Sequence, residues 1–332
     1  MIIHSYTASG VKHTRNAQLS QDYVITANID EETRIIAVSD GVSSARFARN
    51  AAVAACYAAV NFSQNYHDLK SIFNNDDASE VFAKELFEHV ACIIEKLSQK
   101  HDAPVFEYAT TLLVSIVTEN HDVFALQLGD GFIRIDDKIL PFVRPDRMKK
   151  NITFSTANLI TSIDRKIYTL YRGHFSQHVI VMTDGLEPIA KNRQLMRYLS
   201  CDAALLVNKT ALREVCEACS EINFDDTTIV IAVDPIGLIE GLSTRELLTL
   251  FGLKEKAVRR NKNGSLKQYI QIFSTYQTPR SISEVASMLQ INAITVSKIT
   301  KHLIGRNLLK KLGRGFSVHT AYDNAEETKK EG

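Results

Sequence analysis

The chain has 332 residues, 45% of them hydrophobic and 23% charged, with 14 Gly, 6 Pro and five Cys. That length predicts two or three domains, and the composition excludes a disordered, collagenous or low-complexity chain. The net charge of +1 excludes a uniformly acidic or basic molecule, yet it averages unlike regions: residues 245–320 carry +11, the last twelve −2 and residues 1–244 −8. Such asymmetry predicts two jobs, with the basic part suited to a polyanionic partner.

Met1–Gly10 lacks a basic segment followed by an apolar run, so it does not read as a secretory signal. No stretch approaches the ~18 apolar residues of a membrane span. The cysteines, Cys56, Cys92, Cys201, Cys216 and Cys219, are odd in number and sparse, which suits a reducing cytoplasm. Cys216 and Cys219 form a lone pair without a second, and read as core or surface thiols. The expectation is a cytoplasmic protein with no membrane partner.

Short runs rich in Val, Ile, Thr and Phe predict strands at Tyr23–Ala27, Arg34–Ser39, Thr110–Thr118, Val123–Leu128, Phe132–Ile135, His178–Thr183 and Thr227–Val233. Helical spacing marks Ala45–Phe62, Ser79–Gln99 and Gln194–Ser220. The strands at 110–118, 123–128 and 132–135 read as hairpin-linked neighbours, which favours antiparallel sheet. From Leu242 the pattern turns helical and basic. Ser243 with Glu246, and Ser281 with Glu284, form capping boxes. The predicted helices are 243–259, 265–276, 281–289 and 294–307, followed by a hairpin of 308–311 and 316–319 around Gly313-Arg-Gly315.

The most informative recurrence is an apolar strand that ends in Asp-Gly: Asp40-Gly41, Asp130-Gly131 and Asp184-Gly185. Asp225-Asp226 and Gln21-Asp22 each precede a strand. One Asp-Gly is ordinarily a turn. Several carboxylates converging at one sheet edge repel one another and raise each other's pKa values unless divalent cations lie among them. Oxygen donors without His or Cys suit Mg²⁺ or Mn²⁺, and a pair of such ions supplies an activated water for in-line attack on phosphorus. The sequence contains no G-x-S-x-G elbow and no P-loop, which excludes two other common hydrolytic designs.

The ordered set Gly10-x-x-His13…Gln21-Asp22, Val38-Ser-Asp40-Gly41-Val42, Thr110-Thr111-Leu112, Leu128-Gly-Asp130-Gly131, Asn158-Leu-Ile-Thr161, Val181-Met-Thr-Asp184-Gly185-Leu186 and Asp225-Asp-Thr-Thr228 resembles the metal-dependent serine/threonine protein phosphatases of type 2C, in their divergent bacterial branch. The resemblance spans residues 1–235. It implies an α+β fold, a four-layer α-β-β-α sandwich of two mostly antiparallel sheets, with Mn²⁺ or Mg²⁺ at one end, two ions and room for a third. By the same resemblance Asp40 bridges two ions with the Gly41 carbonyl, Asp184 and Asp225 hold the first, Asp22 serves the second and Asp130 a third. Asp226 falls where the family often has Asn and lies behind the ligands. Gln21 stands where many members carry Glu. The family's phosphate-gripping Arg has no equivalent at the usual spacing, leaving His13 or Arg15 to touch phosphate. The implied catalytic set is Asp40, Asp184 and His13, acting on a phosphoprotein opposed by a cognate Ser/Thr kinase.

Residues 265–320 resemble a winged helix-turn-helix, joined by a linker and connecting helix at 236–264 and followed by a charged tail, 321–332. Val285, Met288, Leu289, Val296, Ile299 and Leu303 are its expected core. Thr295, Ser297, Lys298, Lys301 and His302 are left outward for base edges, with Lys310, Lys311 and Arg314 on the wing for phosphates. Duplex DNA is the favoured partner of this module and a protein the other. The alternative to an active enzyme is a pseudophosphatase that senses phosphate and regulates transcription.

Overall fold

The computed structural model describes residues 1–136, 138–140, 168–190, 209–234, 237, 239–240, 242–255, 265–276, 278–306, 308–312 and 315–318. Asn158–Thr161, Cys201, the first part of the 194–220 helix, the 256–264 stretch and Arg314 lie outside them. The chain divides into two compact units: Ser5–Arg193 with Leu212–Ile231, and Met1–His4 with Gln194–Ala211 and Ala232–Gly332.

Two five-stranded antiparallel sheets are built from strands between residues 2 and 233. The first has the order β2 (Tyr23–Asn28), β3 (Thr33–Ser39), β4 (Leu112–Thr118), β5 (Asp122–Leu128) and β8 (Thr169–His174). The second has the order β1 (Ile2–Ala8), β10 (Thr227–Val233), β9 (His178–Met182), β6 (Phe132–Ile135) and β7 (Lys138–Ile139). Every residue of β4, β9 and β10 is buried, so both faces of both sheets are covered. That is why these strands read as continuous apolar runs rather than as alternation.

After the short α1 (Val11–Arg15) come the long α2 (Ala48–Gln64) and α3 (Asp76–Lys100), against which Ile35, Ala37, Leu112, Val114, Ile116, Phe124 and Leu126 of the first sheet pack. The period-2 alternates Ile36, Val38, Leu113 and Val117 are equally buried on the other face. Alanines at 51, 55, 58 and 59 let α2 lie close to β3. Asn75 caps α3 by accepting the Asp77 and Ala78 N–H groups, with Asp76 and Asp77 in the first turn to suit the helix dipole.

One expectation is corrected. β4 and β5 form a hairpin, but β6 leaves them and pairs with β9 in the other sheet. The crossing occurs where Gly129 and Gly131 take φ of 94° and 118°, a region L side chains avoid. A Cβ at Gly131 would also lie 2.9 Å from the Met182 carbonyl oxygen. β1 and β8 were not expected. β8 is half-exposed along most of its length, so its apolar signal is weak.

α4 (Lys209–Asn223) precedes β10, and the C-terminal elements are α5 (Thr244–Leu250), α6 (Leu266–Thr275), α7 (Ile282–Leu289), α8 (Ala293–Gly305), β11 (Leu309–Leu312) and β12 (Gly315–Val318). Capping boxes open α5 and α7 as expected, and a third at Ser265 with Gln268 opens α6. α5 stops at Leu250 instead of reaching Arg259, with Gly252 at φ +62° closing it. Val285, Val296, Ile299 and Leu303 are buried with Tyr269, Ile272 and Phe273. Met288 does not join them and is 56% exposed, because the two-turn α7 turns only a narrow stripe inward. Tyr276 and Thr300 share a buried hydroxyl pair at 2.9 Å, and Arg280 pairs with Phe316 of β12 through both backbone groups. No helix among the described residues is long and apolar enough to cross a membrane.

The first core predicts its own weak point. Phe82 is fully buried and meets Phe124 edge-on, centroids 5.3 Å apart. Phe82→Ala should cost about 3–5 kcal/mol, read as a lower urea midpoint with an unchanged slope.

Candidate active site

The ends of β3, β9 and β10 and the loop before β2 bring separate segments together. Asp40 follows β3. Its N–H donates to Thr111 Oγ1 (2.9 Å), and its carbonyl accepts from Thr110 Oγ1 (2.7 Å) and the Thr111 N–H (2.8 Å). Ser39 Oγ completes the lattice at 2.7 Å from Thr110 Oγ1. The next residue must be glycine, since a Cβ at Gly41 would sit 2.7 Å from the Ala48 backbone. The Gly41 N–H donates to the Gln21 carbonyl (3.3 Å), which ties this corner to the loop before β2.

Asp22 is 2% exposed. Its Oδ2 accepts from Thr183 Oγ1 (2.8 Å), which in turn accepts from the Thr228 N–H (2.9 Å). Its Oδ1 is buried with no hydrogen-bond donor. Asp184 follows Thr183, and Gly185 lies so close to the next segment that a Cβ would come within 1.9 Å of the Asp226 carbonyl oxygen. Asp225 and Asp226 lead into β10.

Asp226 joins the segments. Its Oδ1 accepts the Gly10 N–H (2.7 Å), its Oδ2 accepts the Gln21 N–H (2.5 Å), and His13 Nδ1 stands 2.9 Å from the same carboxylate. Both oxygens of Asp226 are therefore engaged by main chain and imidazole. His13, one of two residues with Arg15 that the sequence left to touch phosphate, is buried with its Nδ1 on Asp226.

The electrostatics are those of crowded, dehydrated acids. Burial pushes Asp22 up to about 7 and Asp184 up to about 6. Asp40 rises well above the usual carboxylate range, by burial first and then by the charges of Asp22 and Asp184. The neighbouring Asp40 carboxyl eases Asp22 and Asp184 downward, against the larger rise that burial gives them. Asp225 is also raised, chiefly by partial desolvation, although the residue is exposed. Asp130 is exposed, yet its charge reaches Asp184 and Asp225 and raises both. Asp22, Asp40, Asp130, Asp184 and Asp225 thus feel one another directly or through a shared neighbour.

Among the described residues, no group of three or more His, Cys, Asp or Glu is closed around a point as a ready metal cage. The donor chemistry nonetheless fits a hard cation: an orphaned Asp22 Oδ1, the carboxylates of Asp22, Asp40, Asp184 and Asp225 with no Lys or Arg ion-pair partner among the described residues, and oxygen as the donor atom throughout. Sequence reasoning quoted Thr110, Thr111, Thr183 and Thr228 inside motifs but gave their hydroxyls no role. It also missed Arg49, whose guanidinium donates to the Ser20 carbonyl and lies over the Tyr23 ring.

The protein phosphatase 2C family profile matches residues 9–221. The chain belongs to the protein phosphatase 2C family. Solved structures agree on the fold. The serine/threonine phosphatase Stp1 from Staphylococcus aureus matches with a TM-score of 0.51 at 12% identity, covering 70% of this chain and 95% of that one. A bacterial serine phosphatase matches at 0.52 and 13%, covering 70% and 97%. The S. agalactiae serine/threonine phosphatase matches at 0.50 and 14%, covering 70% and 99%. At such identities the likeness is one of fold. Among curated proteins no sequence matches the chain.

In the C-terminal unit, Lys298, Lys301 and Lys311 are exposed and Thr295 and Ser297 are half-buried. Lys310 lies on β11. His302 is not outward as expected. Its Nε2 bonds the Phe251 carbonyl (2.8 Å) and its ring packs edge-on against Tyr269, so it holds the end of α5 against α6 and α8. Arg306 donates to the Thr249 and Leu250 carbonyls at the same helix end.

The raised carboxyls of the phosphatase 2C domain fix a pH dependence. Their folded values lie above the ordinary 3.8 of unfolded Asp, so their protonated forms favour the fold. That stability is complete below about pH 4 and is lost as pH rises through about 6 and 7. Asp30 and Glu119, held low, titrate beneath this window. Metal-free protein in chelator should therefore lose on the order of 5 °C in Tm between pH 5 and pH 7.5. Thermal melts at intervals across that range, with and without Mn²⁺, check it.

Proposed function

We propose that this phosphatase 2C domain is a metal-dependent phosphoprotein phosphatase acting on phosphoserine and phosphothreonine. The observation that carries the reading is the convergence of Asp22, Asp40, Asp184 and Asp225, drawn from distant segments, with no Lys or Arg among the described residues as a direct ion-pair partner. The proposed holders of Mn²⁺ or Mg²⁺ are Asp22, Asp40, the Gly41 carbonyl, Asp184 and Asp225, with Asp130 for a third ion. When bound, such ions supply Lewis acidity toward the phosphoryl oxygens and an activated water for attack.

The protein's own residues set up that chemistry. Thr183 holds Asp22 by one oxygen and leaves the other for an ion. Thr110 and Thr111 lock the backbone on both sides of the Asp40 carboxyl, so its central position costs no reorganisation at the moment of reaction. Asp226 and His13 act as positioning residues that hold the loop carrying Gln21 and Asp22 against the start of β10. An opposing Ser/Thr kinase follows from the reaction class.

Asp40→Asn should lower Mn²⁺-dependent hydrolysis of a phosphothreonine peptide by on the order of 100-fold or more, with the fold intact by circular dichroism. Unchanged turnover would remove Asp40 from the centre. Wild-type protein that binds Mn²⁺ but turns over no phosphopeptide would instead be a phosphate-sensing pseudophosphatase.

For the basic C-terminal unit we propose a winged helix-turn-helix that binds duplex DNA, with α8 as the reading helix. The support is the order α6, α7, α8 and hairpin, the +11 charge of residues 245–320, and the exposure of Lys298 and Lys301 on one helix. Affinity should fall with salt by about 0.9 log units per log unit for each phosphate neutralised. Lys298→Ala with Lys301→Ala should weaken binding by about tenfold or more at low salt, in electrophoretic shifts of the full chain. A chain that shifts no duplex at low ionic strength would leave this face to a protein partner.

A further inference from the structure

Large apolar side chains stand in solvent beside the acid cluster. Phe224 directly precedes Asp225 and is 61% exposed. Leu19 lies three residues before Asp22 and is 69% exposed. Their segments are held together at close range. The Gln21 N–H bonds Asp226 Oδ2, the Gln18 N–H bonds the His13 carbonyl, His13 bonds Asp226, and a Cβ at Gly10 would lie 2.8 Å from the Phe224 carbonyl oxygen. The backbone segments that carry Leu19 and Phe224 are therefore both anchored at Asp226.

Phe224 carries a second, independent mark. Its φ is +60°, the left-handed region that Gly, Asn and Asp occupy readily and bulky side chains do not. An aromatic residue there has neither a favourable backbone nor a buried ring to offset the strain. Glycine or asparagine would serve the turn better. Strain held at a solvent-facing side chain next to a candidate active site points to use rather than to folding.

We infer that Leu19 and Phe224 form an apolar lip that takes a hydrophobic side chain adjacent to the phosphorylated residue of a protein substrate. The inference rests on the phosphatase reading for the chemistry at the acids, and adds the class of substrate: phosphopeptide segments with Leu, Ile, Met or Phe beside the phosphoresidue. An aromatic ring and a branched aliphatic chain at such a mouth bury apolar area only once such a segment is bound.

The test uses the full chain with Mn²⁺ and two phosphothreonine peptides that differ only in carrying Leu or Ser beside the phosphothreonine. Binding is read by fluorescence anisotropy and turnover by phosphate release. Wild-type protein should prefer the Leu peptide by about tenfold in affinity. Leu19→Ser and Phe224→Asn should each bring that ratio toward one, while Val81→Ser, an exposed apolar site on α3, should leave it in place. Phe224→Asn should keep or raise Tm, because asparagine accepts the left-handed backbone. Either of two results would overturn the lip: a Leu preference that survives in both variants, or a Phe224→Asn protein that melts well below wild type, which would make the ring structural. Concentration-dependent dimerisation that both variants abolish, with no change in peptide ratio, would assign the face to a second copy of the chain. Because binding is measured directly, a wild type without turnover on p-nitrophenyl phosphate would fail the phosphatase reading and still decide the lip.

Discussion

A single buried carboxylate organises this protein. Asp226 accepts two backbone N–H groups and an imidazole from a segment more than 200 residues earlier, and its own carbonyl seats Gly185. A carboxylate is well made for this, because its two oxygens accept several donors at once and hydrogen bonds to a charged acceptor are stronger than neutral ones. The result is that the loop before β2, the end of β9 and the start of β10 meet at one place. Asp22, Asp184 and Asp225 are each within four residues of one of these contacts, so the acid cluster is a consequence of that junction.

The neighbouring acids are in the opposite condition. Asp22, Asp40, Asp184 and Asp225 are raised first by burial and then by acids around them, Asp130 and Asp226 included, whereas both Asp226 oxygens have donors. Crowded acids that oppose the fold at neutral pH persist when a ligand relieves them, the part that the proposed divalent cations would play. Under that proposal stability and chemistry are coupled at the same atoms. The surrounding threonines Thr110, Thr111, Thr183 and Thr228 bond backbone and one carboxylate oxygen, which fixes geometry without neutralising charge.

The C-terminal unit shows a different use of charge. His302 and Arg306, two of its basic side chains, are spent on carbonyls at the end of α5. Lys298 and Lys301 on the same helix remain exposed. Residues of similar chemistry four apart on one helix therefore have different work, and only the position of a neighbouring helix end separates them.

Local patterns carried much of this into the sequence. The strands from β2 to β5, β9 and β10, both capping boxes, the helices α6 to α8, and the Asp-Gly strand ends follow from side-chain period, cap chemistry and turn preference within a few residues of each position. The order of short motifs placed residues 1–235 with the type 2C phosphatases, and the profile match covers residues 9–221. What lay beyond it were pairings between distant segments. The transfer of β6 to the second sheet depends on where β9 lies. The turning of His302 inward depends on the Phe251 carbonyl, and the exposure of Met288 on the narrow packed stripe of α7. The engagement of His13 by Asp226 joins residues 213 apart. A sequence states which groups can donate, accept or repel. Which of them face each other, and so whether a histidine is a ligand, a phosphate contact or a clasp, is decided only when the chain closes on itself.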